Sequence, residues 1–323
     1  MNTYIKYLIC TFFSGLFLAP NSSRAQTEEE GKWWPHPLWG AEDQAGASNW
    51  NTPEKVLQAV SLVKTGKVYE LGNVYDEQMP LIGSRSYELT VSEVPTHGPS
   101  GAEQVVFNDE FLATQIGQVG TQFDGPGHVG KRMKVDSGEE TEVFYNGFTT
   151  DDIKSPTGLK HLGVEHVKPY VTRGIMLDIA AARGLTTVEV GYVATLADVH
   201  KALDLQGMSE ADFRPGDALL FNFGWWKNWP DPNVLKDTPY ISREVVDWII
   251  QRQPSMVGSD ATLDGGLRPN VHIDLTLKNG IWNLEWMRFD HMVEDRMFEF
   301  LFIYTPIRFK GATGSPGRPI AVG

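Results

Sequence analysis

The chain has 323 residues, with 41 Asp and Glu against 28 Lys and Arg and a formal net charge of −13. An excess of that sign is repelled by phosphate backbones and anionic headgroups, which excludes nucleic acid and charged membrane surfaces as main partners and leaves small molecules. Cys10 is the only cysteine, so disulfides and thiol nucleophiles are excluded from the body of the chain, and any metal must use nitrogen and oxygen donors.

Residues 1–25 have the layout of a cleaved export signal. Lys6 supplies the positive start, "YLICTFFSGLFLAP" is an apolar run too short to span a bilayer comfortably, and "SRA" puts small residues before Gln26. Cys10 lies inside that run rather than at its end, which argues against a lipoprotein. Cleavage predicts a soluble periplasmic or secreted protein of roughly 300 residues, with no membrane attachment and room for a substantial core. Residues 26–50 are polar and rich in tryptophan. Trp33, Trp34 and Trp39 need a surface to pack on, which predicts an arm lying across the body or a neighbouring subunit.

Thr52 and Pro53 have the chemistry of a helix start, and Val56, Leu57, Val60 and Val63 make a helical stripe before Gly66. "KVYELG" follows as a strand. Further β-rich runs are "EQVVFNDEFLATQI", "RGIMLDIA", "DALLFNF", "SMVGSD" and "MFEFLFIYTPIRF". Helical patterns lie between them at "TLADVHKALDLQG", "SREVVDWIIQRQ" and "NVHIDLTLKNG", the second capped by Ser242 and the third by Asn270. Alternating strands and helices predict a mixed α/β fold. No repeat or low-complexity linker divides it, so a single domain over 51–323 follows the 26–50 arm.

The stretch "GQVGTQFDGPGHVG", from Gly117 to Gly130, gathers Gln118, Thr121, Gln122, Asp124 and His128 among five glycines and a proline. Such composition forbids a regular helix. It permits either an ordinary surface turn or sharp bends that aim several polar side chains at one point.

The stretch resembles the signature of the cyclase family of metal-dependent hydrolases, to which kynurenine formamidase and isatin hydrolase belong. That signature reads H-x-G-T-H-x-D-x-P-x-H and stands here as Q-V-G-T-Q-F-D-G-P-G-H. Other blocks follow in the family's order: "WGAEDQAGASNWNTPEKV", "FRPGDALLFNFGWW", "ISREVVDWIIQRQPSMVGSDATLDG", "HIDLTLKNGIWNLE" and "GSPGRPIAV". The resemblance implies a β-rich α/β body around a metal site, working as a homo-oligomer, a dimer or tetramer.

In that family the first two signature histidines and the aspartate bind a divalent metal, and the last histidine moves protons or binds a second ion. A C-terminal histidine and glutamate close the site. Carried over, these positions are Gln118, Gln122, Asp124, His128, His272 and Glu285. His272 stands one residue farther from Gly280 than the family spacing. The two glutamines are the chief departure, because an amide oxygen is a weaker and harder ligand than imidazole. Three arrangements remain open. One Zn or Mn ion sits on Asp124, His128, His272 and Glu285, with Gln118 and Gln122 orienting substrate; or both glutamines serve as weak oxygen ligands and His128 is free to move protons; or no metal is bound.

The first two arrangements imply hydrolysis of a small amide, cyclic amide or ester, with water adding to an activated carbonyl and His128 and Glu285 as the catalytic groups. Trp225, Trp226 and Trp229, after the "FNFG" strand, are expected to line an apolar wall against the substrate. A periplasmic binding protein that has lost metal chemistry, and a lyase or ring-closing enzyme acting on a hydroxy acid, are the rival readings. His36, His97, His161, His166 and His200 read as solvated or structural, and His291, beside Asp290 and Glu294, as a satisfied interior histidine. No G-x-S-x-G elbow occurs, and Ser315 in "GSPG" has no such context.

Overall fold

The computed structural model describes residues 32–229, 231–264 and 271–323. The expected export signal over 1–25, the first residues of the arm and the expected Asn270 cap fall outside the described residues. Among the described residues, a nine-stranded sheet runs in the order Val68–Glu70, Ile320–Val322, Glu299–Tyr304, Tyr170–Asp178, Ala218–Asn222, Met256–Ser259, Trp282–Glu285, Gln122–Asp124 and Gly314–Pro316. The four strands from Tyr170–Asp178 to Trp282–Glu285 are parallel to their neighbours in that run, and the pairings outside it are antiparallel. Helices Leu196–Gln206 and Arg243–Arg252 supply two of the crossovers that parallel strands require. The chain is thus the mixed α/β domain its alternating pattern predicts.

Both faces of the central strands are covered, which is why they read as unbroken apolar runs. Leu219, Phe221 and Val257 pack toward Val199, Leu203, Val245 and Ile249 of the helices. Leu220, Met256 and Leu284 pack on the other side with Phe123, Tyr170, Trp282 and Phe300. The helix after Thr195 is held by a reciprocal cap: the Asp198 amide donates to Thr195 Oγ1 at 3.3 Å, and the Thr195 amide to Asp198 Oδ2 at 2.8 Å. Ser242 occupies the expected N-cap position, yet its side chain makes no capping hydrogen bond.

Three local expectations change. In helix Pro53–Val60, capped by Thr52 as expected, Leu57 is 71% and Val60 48% exposed, and the buried residues are Lys55 and Ala59. Lys55 reaches inward to pair with Asp217, which also accepts from Arg173 Nη1 at 3.1 Å. A buried ion network, not an apolar stripe, anchors this helix. The run "EQVVFNDEFLATQI" forms strands Val105–Phe107 and Phe111–Thr114, which pair with His97–Ser100 and Tyr87–Thr90 in exposed hairpins outside the central sheet. His291 is on the surface with its side chain 66% exposed, hydrogen-bonded to Glu294.

The described part of the arm lies on the body. Ala47 N donates to Gly280 O at 2.8 Å and Trp282 Nε1 to Ala45 O at 2.9 Å, while the Tyr145 hydroxyl donates to Asp43 at 2.8 Å. His36 is buried there, its amide bound to Asn146 Oδ1 at 2.7 Å, a structural role.

Candidate metal centre

The glycine-rich stretch carries a strand at its middle. Gln122–Asp124 is paired on one side with Trp282–Glu285 and on the other with Gly314–Pro316. The close approach of the latter explains Gly117, where a side chain would meet the Gly314 carbonyl carbon at 2.4 Å, and Gly120 adopts φ +61°, which suits glycine. Strand alternation sends Phe123 into the core and leaves Gln122 and Asp124 on the opposite face. The register sets Asp124 opposite Asn283 and Gln122 opposite Glu285. Beyond Asp124 the chain turns, His128 N donating to Gly125 O at 3.1 Å, and brings the His128 imidazole back toward Asp124.

His272 arrives from the far side, at the start of a π-helical turn over His272–Leu277. A π turn accommodates one more residue than an α turn. The His272 imidazole at the start of this turn lies in reach of Asp124.

The donors converge. His128 Nε2 lies 3.5 Å from Asp124 Oδ1, His272 Nε2 lies 3.1 Å from Asp124 Oδ2, and His272 Nε2 lies 3.8 Å from Glu285 Oε1. Ligand atoms around a four-coordinate ion stand roughly 3.3–3.6 Å apart, given bonds of about 2.0–2.2 Å. One atom each from Asp124, His128 and His272 falls within 4.8 Å of the others. This mixed imidazole and carboxylate set fits a divalent metal ion, with Glu285 at its edge. The group lines a cavity of about 550 Å³.

Electrostatics at the site follow from burial and from these neighbours. Asp124 is fully buried, which opposes its charge, but His128 and His272 and the hydrogen bonds from His272 and Gln118 hold its pKa below the ordinary carboxylate value. Burial lowers the pKa of His128 against the pull of Asp124. For His272 burial works the same way but is outweighed by hydrogen bonds and attraction from Asp124 and Asp264, so its pKa rises well above the usual value. Burial, reinforced by the Asp124 carboxylate, lifts Glu285 well above the ordinary range.

Both glutamines line the cavity, but as hydrogen-bond donors. Gln118 Nε2 donates to Asp124 Oδ1 at 3.3 Å and Gln122 Nε2 to Glu285 Oε2 at 3.1 Å, while Gln118 Oε1 accepts from Arg85 Nη2 at 3.1 Å. This differs from the arrangement in which both coordinate an ion through oxygen.

The aromatic wall expected from Trp225 and Trp226 is elsewhere. Trp225 is buried in the helix-side core, its Nε1 donating to Val234 O at 3.0 Å, and Trp226 packs at the edge of the other core under Lys227. Neither is among the cavity's lining residues; Trp229 likewise packs against the core, facing Trp286 at 6.1 Å. The turn that carries them is pinned by Asp260, which accepts from the amides of Phe223, Trp225 and Trp226. Ser315 is a buried brace: Ile307 N donates to its Oγ at 2.8 Å.

Sequence reasoning missed three members of the site. Asp264 hydrogen-bonds His272 Nδ1, fixing the ring so that Nε2 faces Asp124. Asn283 Nδ2 donates to Glu285 Oε1 at 2.8 Å. Arg85 comes from outside every recognisable block. Only Asp264 left a legible hint, as an acidic residue eight positions before a candidate ligand.

Comparison with known proteins agrees with this architecture. Residues 62–263 match the family model described as "Putative cyclase". The crystal structure of "a novel cyclase" is 27% identical, covering 88% of this chain and 98% of its own, with a TM-score of 0.76. Isatin hydrolase A from Ralstonia solanacearum is 17% identical, covering 84% of this chain and 99% of its own, with a TM-score of 0.57. Isatin hydrolase A from Labrenzia aggregata, bound to benzyl benzoate, is 16% identical over 82% of this chain and 98% of its own, with a TM-score of 0.55. These two share the fold. No curated protein matches the chain. With a family match over more than half of its length, the chain belongs to the cyclase family.

Proposed function

We propose that the protein is a metal-dependent hydrolase of a small amide, cyclic amide or ester, and that its residues 1–25 direct it to the periplasm or outside the cell. The observation that carries the reading is the meeting of Asp124, His128 and His272 at one point of a cavity, with Glu285 beside them. Asp124, His128 and His272 would hold one Zn or Mn ion, which supplies polarisation of the substrate carbonyl and of the attacking water.

The chain's own groups do the rest. Asp264 holds the His272 ring through Nδ1. Gln122 and Asn283 fix both oxygens of Glu285, the former from 3.1 Å and the latter from 2.8 Å. Glu285, 3.8 Å from His272 Nε2, is placed to take the proton of the attacking water and return it to the departing nitrogen or oxygen. Balance is simple: water adds across the carbonyl, the carbon–nitrogen or carbon–oxygen bond breaks, and an acid and an amine or alcohol form, as two molecules or, from a cyclic amide, on one ring-opened product.

The test is metal content of the purified protein, compared with Asp124→Ala and His272→Ala, together with formate release from formanilide and ring opening of isatin before and after chelation. One equivalent of Zn or Mn, lost in both variants, with turnover abolished by chelator, supports the reading. Folded, metal-free protein that turns over neither compound favours the binding-protein reading, to which the two glutamine amides, already donating to Asp124 and Glu285, give its support.

A further inference from the structure

Among the described residues lining the cavity Arg85 is the only Lys or Arg, and the same lining carries Asp124, Asp237, Asp264 and Glu285. Buried or cavity-facing arginines ordinarily pair with a carboxylate. Among the described residues Arg85 makes no such pair, although the wall around it is rich in acids. Its hydrogen bond is to a neutral acceptor, Gln118 Oε1 at 3.1 Å, and the same amide donates onward to Asp124 Oδ1 at 3.3 Å.

Position 118 thereby acts as a two-sided spacer. An imidazole bound to a metal could not also accept from Arg85, because its other ring nitrogen would carry a proton. The amide can accept from the guanidinium and donate to the carboxylate at once. It holds the cation beside the centre formed by Asp124, His128 and His272 without letting it collapse onto Asp124. Among the described residues one of the five guanidinium donors is used, and the planar fork suits a two-oxygen anion. Ile82 and Leu235 add apolar lining to the same cavity.

We propose that Arg85 is the anion-binding residue of this cavity, and that the substrate carries a carboxylate seated on its guanidinium while its scissile carbonyl lies at Asp124, His128 and His272. The substrate class depends on the hydrolase reading; the anion site itself does not.

Two measurements separate them. The first is binding of benzoate and of its neutral counterpart benzamide to the purified protein, with and without chelator, in the wild type, Arg85→Met and Arg85→Lys. The wild type prefers benzoate, Arg85→Met lowers benzoate affinity about tenfold or more, as expected for loss of a charge-assisted pair, and Arg85→Lys recovers part of it. Benzamide binding reports any disturbance of Gln118 and changes much less. Equal loss for both ligands, no preference for benzoate in the wild type, or benzoate binding abolished by chelator yet unaffected by Arg85→Met overturns the proposal.

The second is turnover of N-formylanthranilate against formanilide. The ratio of their kcat/KM values falls about tenfold in Arg85→Met; an unchanged ratio overturns the proposed substrate class. Turnover of neither compound alongside Arg85-dependent benzoate binding removes the hydrolase reading and keeps the anion site.

Discussion

Gln122 and Glu285 stand opposite each other in neighbouring antiparallel strands, and the amide of one donates to the carboxylate of the other at 3.1 Å. The resemblance to the cyclase signature implies a metal-binding imidazole at the position Gln122 occupies. Restoring the donors should restore an ion. In the double variant Gln118→His/Gln122→His, metal analysis of the purified protein is expected to find one more divalent ion per chain than in the wild type. An unchanged stoichiometry would count against a metal position at 118 and 122.

Asp264 acts through His272. Removing an orienting carboxylate from a metal-bound imidazole ordinarily costs about 10–100-fold in metal affinity. Asp264→Asn is therefore expected to weaken Zn or Mn binding by about that factor, read by competition with a chelator, with the circular dichroism spectrum unchanged. Affinity within twofold of the wild type would sink the assignment.

Asp260 couples the fold to pH. Burial pushes its carboxyl up to about 7, against the pull of backbone amides from Phe223, Trp226 and Trp225. Because the folded pKa lies above the unfolded one, the folded protein holds a proton that the unfolded chain releases. The contribution is fully present below about pH 4 and is lost as pH rises through the folded value, at up to about 1.4 kcal/mol per pH unit. Urea denaturation from pH 4 to 8 is expected to show a shallower fall for Asp260→Asn than for the wild type; parallel curves would contradict the shift.

Asp217 joins Lys55 and Arg173 in the interior, the latter at 3.1 Å. Truncating it strands the buried Lys55 ammonium, while Arg173 keeps Glu299 at 2.6 Å, at a cost of about 3–5 kcal/mol. Asp217→Ala should lower the denaturation midpoint accordingly, whereas Glu142→Ala, which breaks an exposed pair with Arg132, should leave it within error. Similar effects from the two would show that the interior network is not what holds helix Pro53–Val60.

The strands that form the middle of the sheet were legible because burial on both faces writes itself as runs such as "ALLF", and Thr195 and Gly207 bracket their helix by local chemistry. Leu57 and Val60 misled because periodicity reports which residues are apolar, not which face meets the body; a buried Lys55 reversed the answer. Trp225 and Trp226 misled for a related reason, since a large ring after a strand packs equally well in a core or a pocket, and Asp260, 34 and 35 positions away, turns them into the core.

The sequence by itself determined the donor types available to the site, through its single early cysteine, and the order of blocks that carries the family resemblance. That Gln122 and Asp124 share a strand face was not legible, because the glycine-rich stretch reads as a turn or bends and becomes a strand by pairing with Trp282–Glu285 and Gly314–Pro316. Only the tertiary structure decided that His272, 148 residues from Asp124, comes within 3.1 Å of it, that Asp264 orients that imidazole, and that Arg85 faces the same cavity through Gln118. Those relationships depend on strand register and on one π-helical turn, and no local pattern in the chain encodes a distance between segments so far apart.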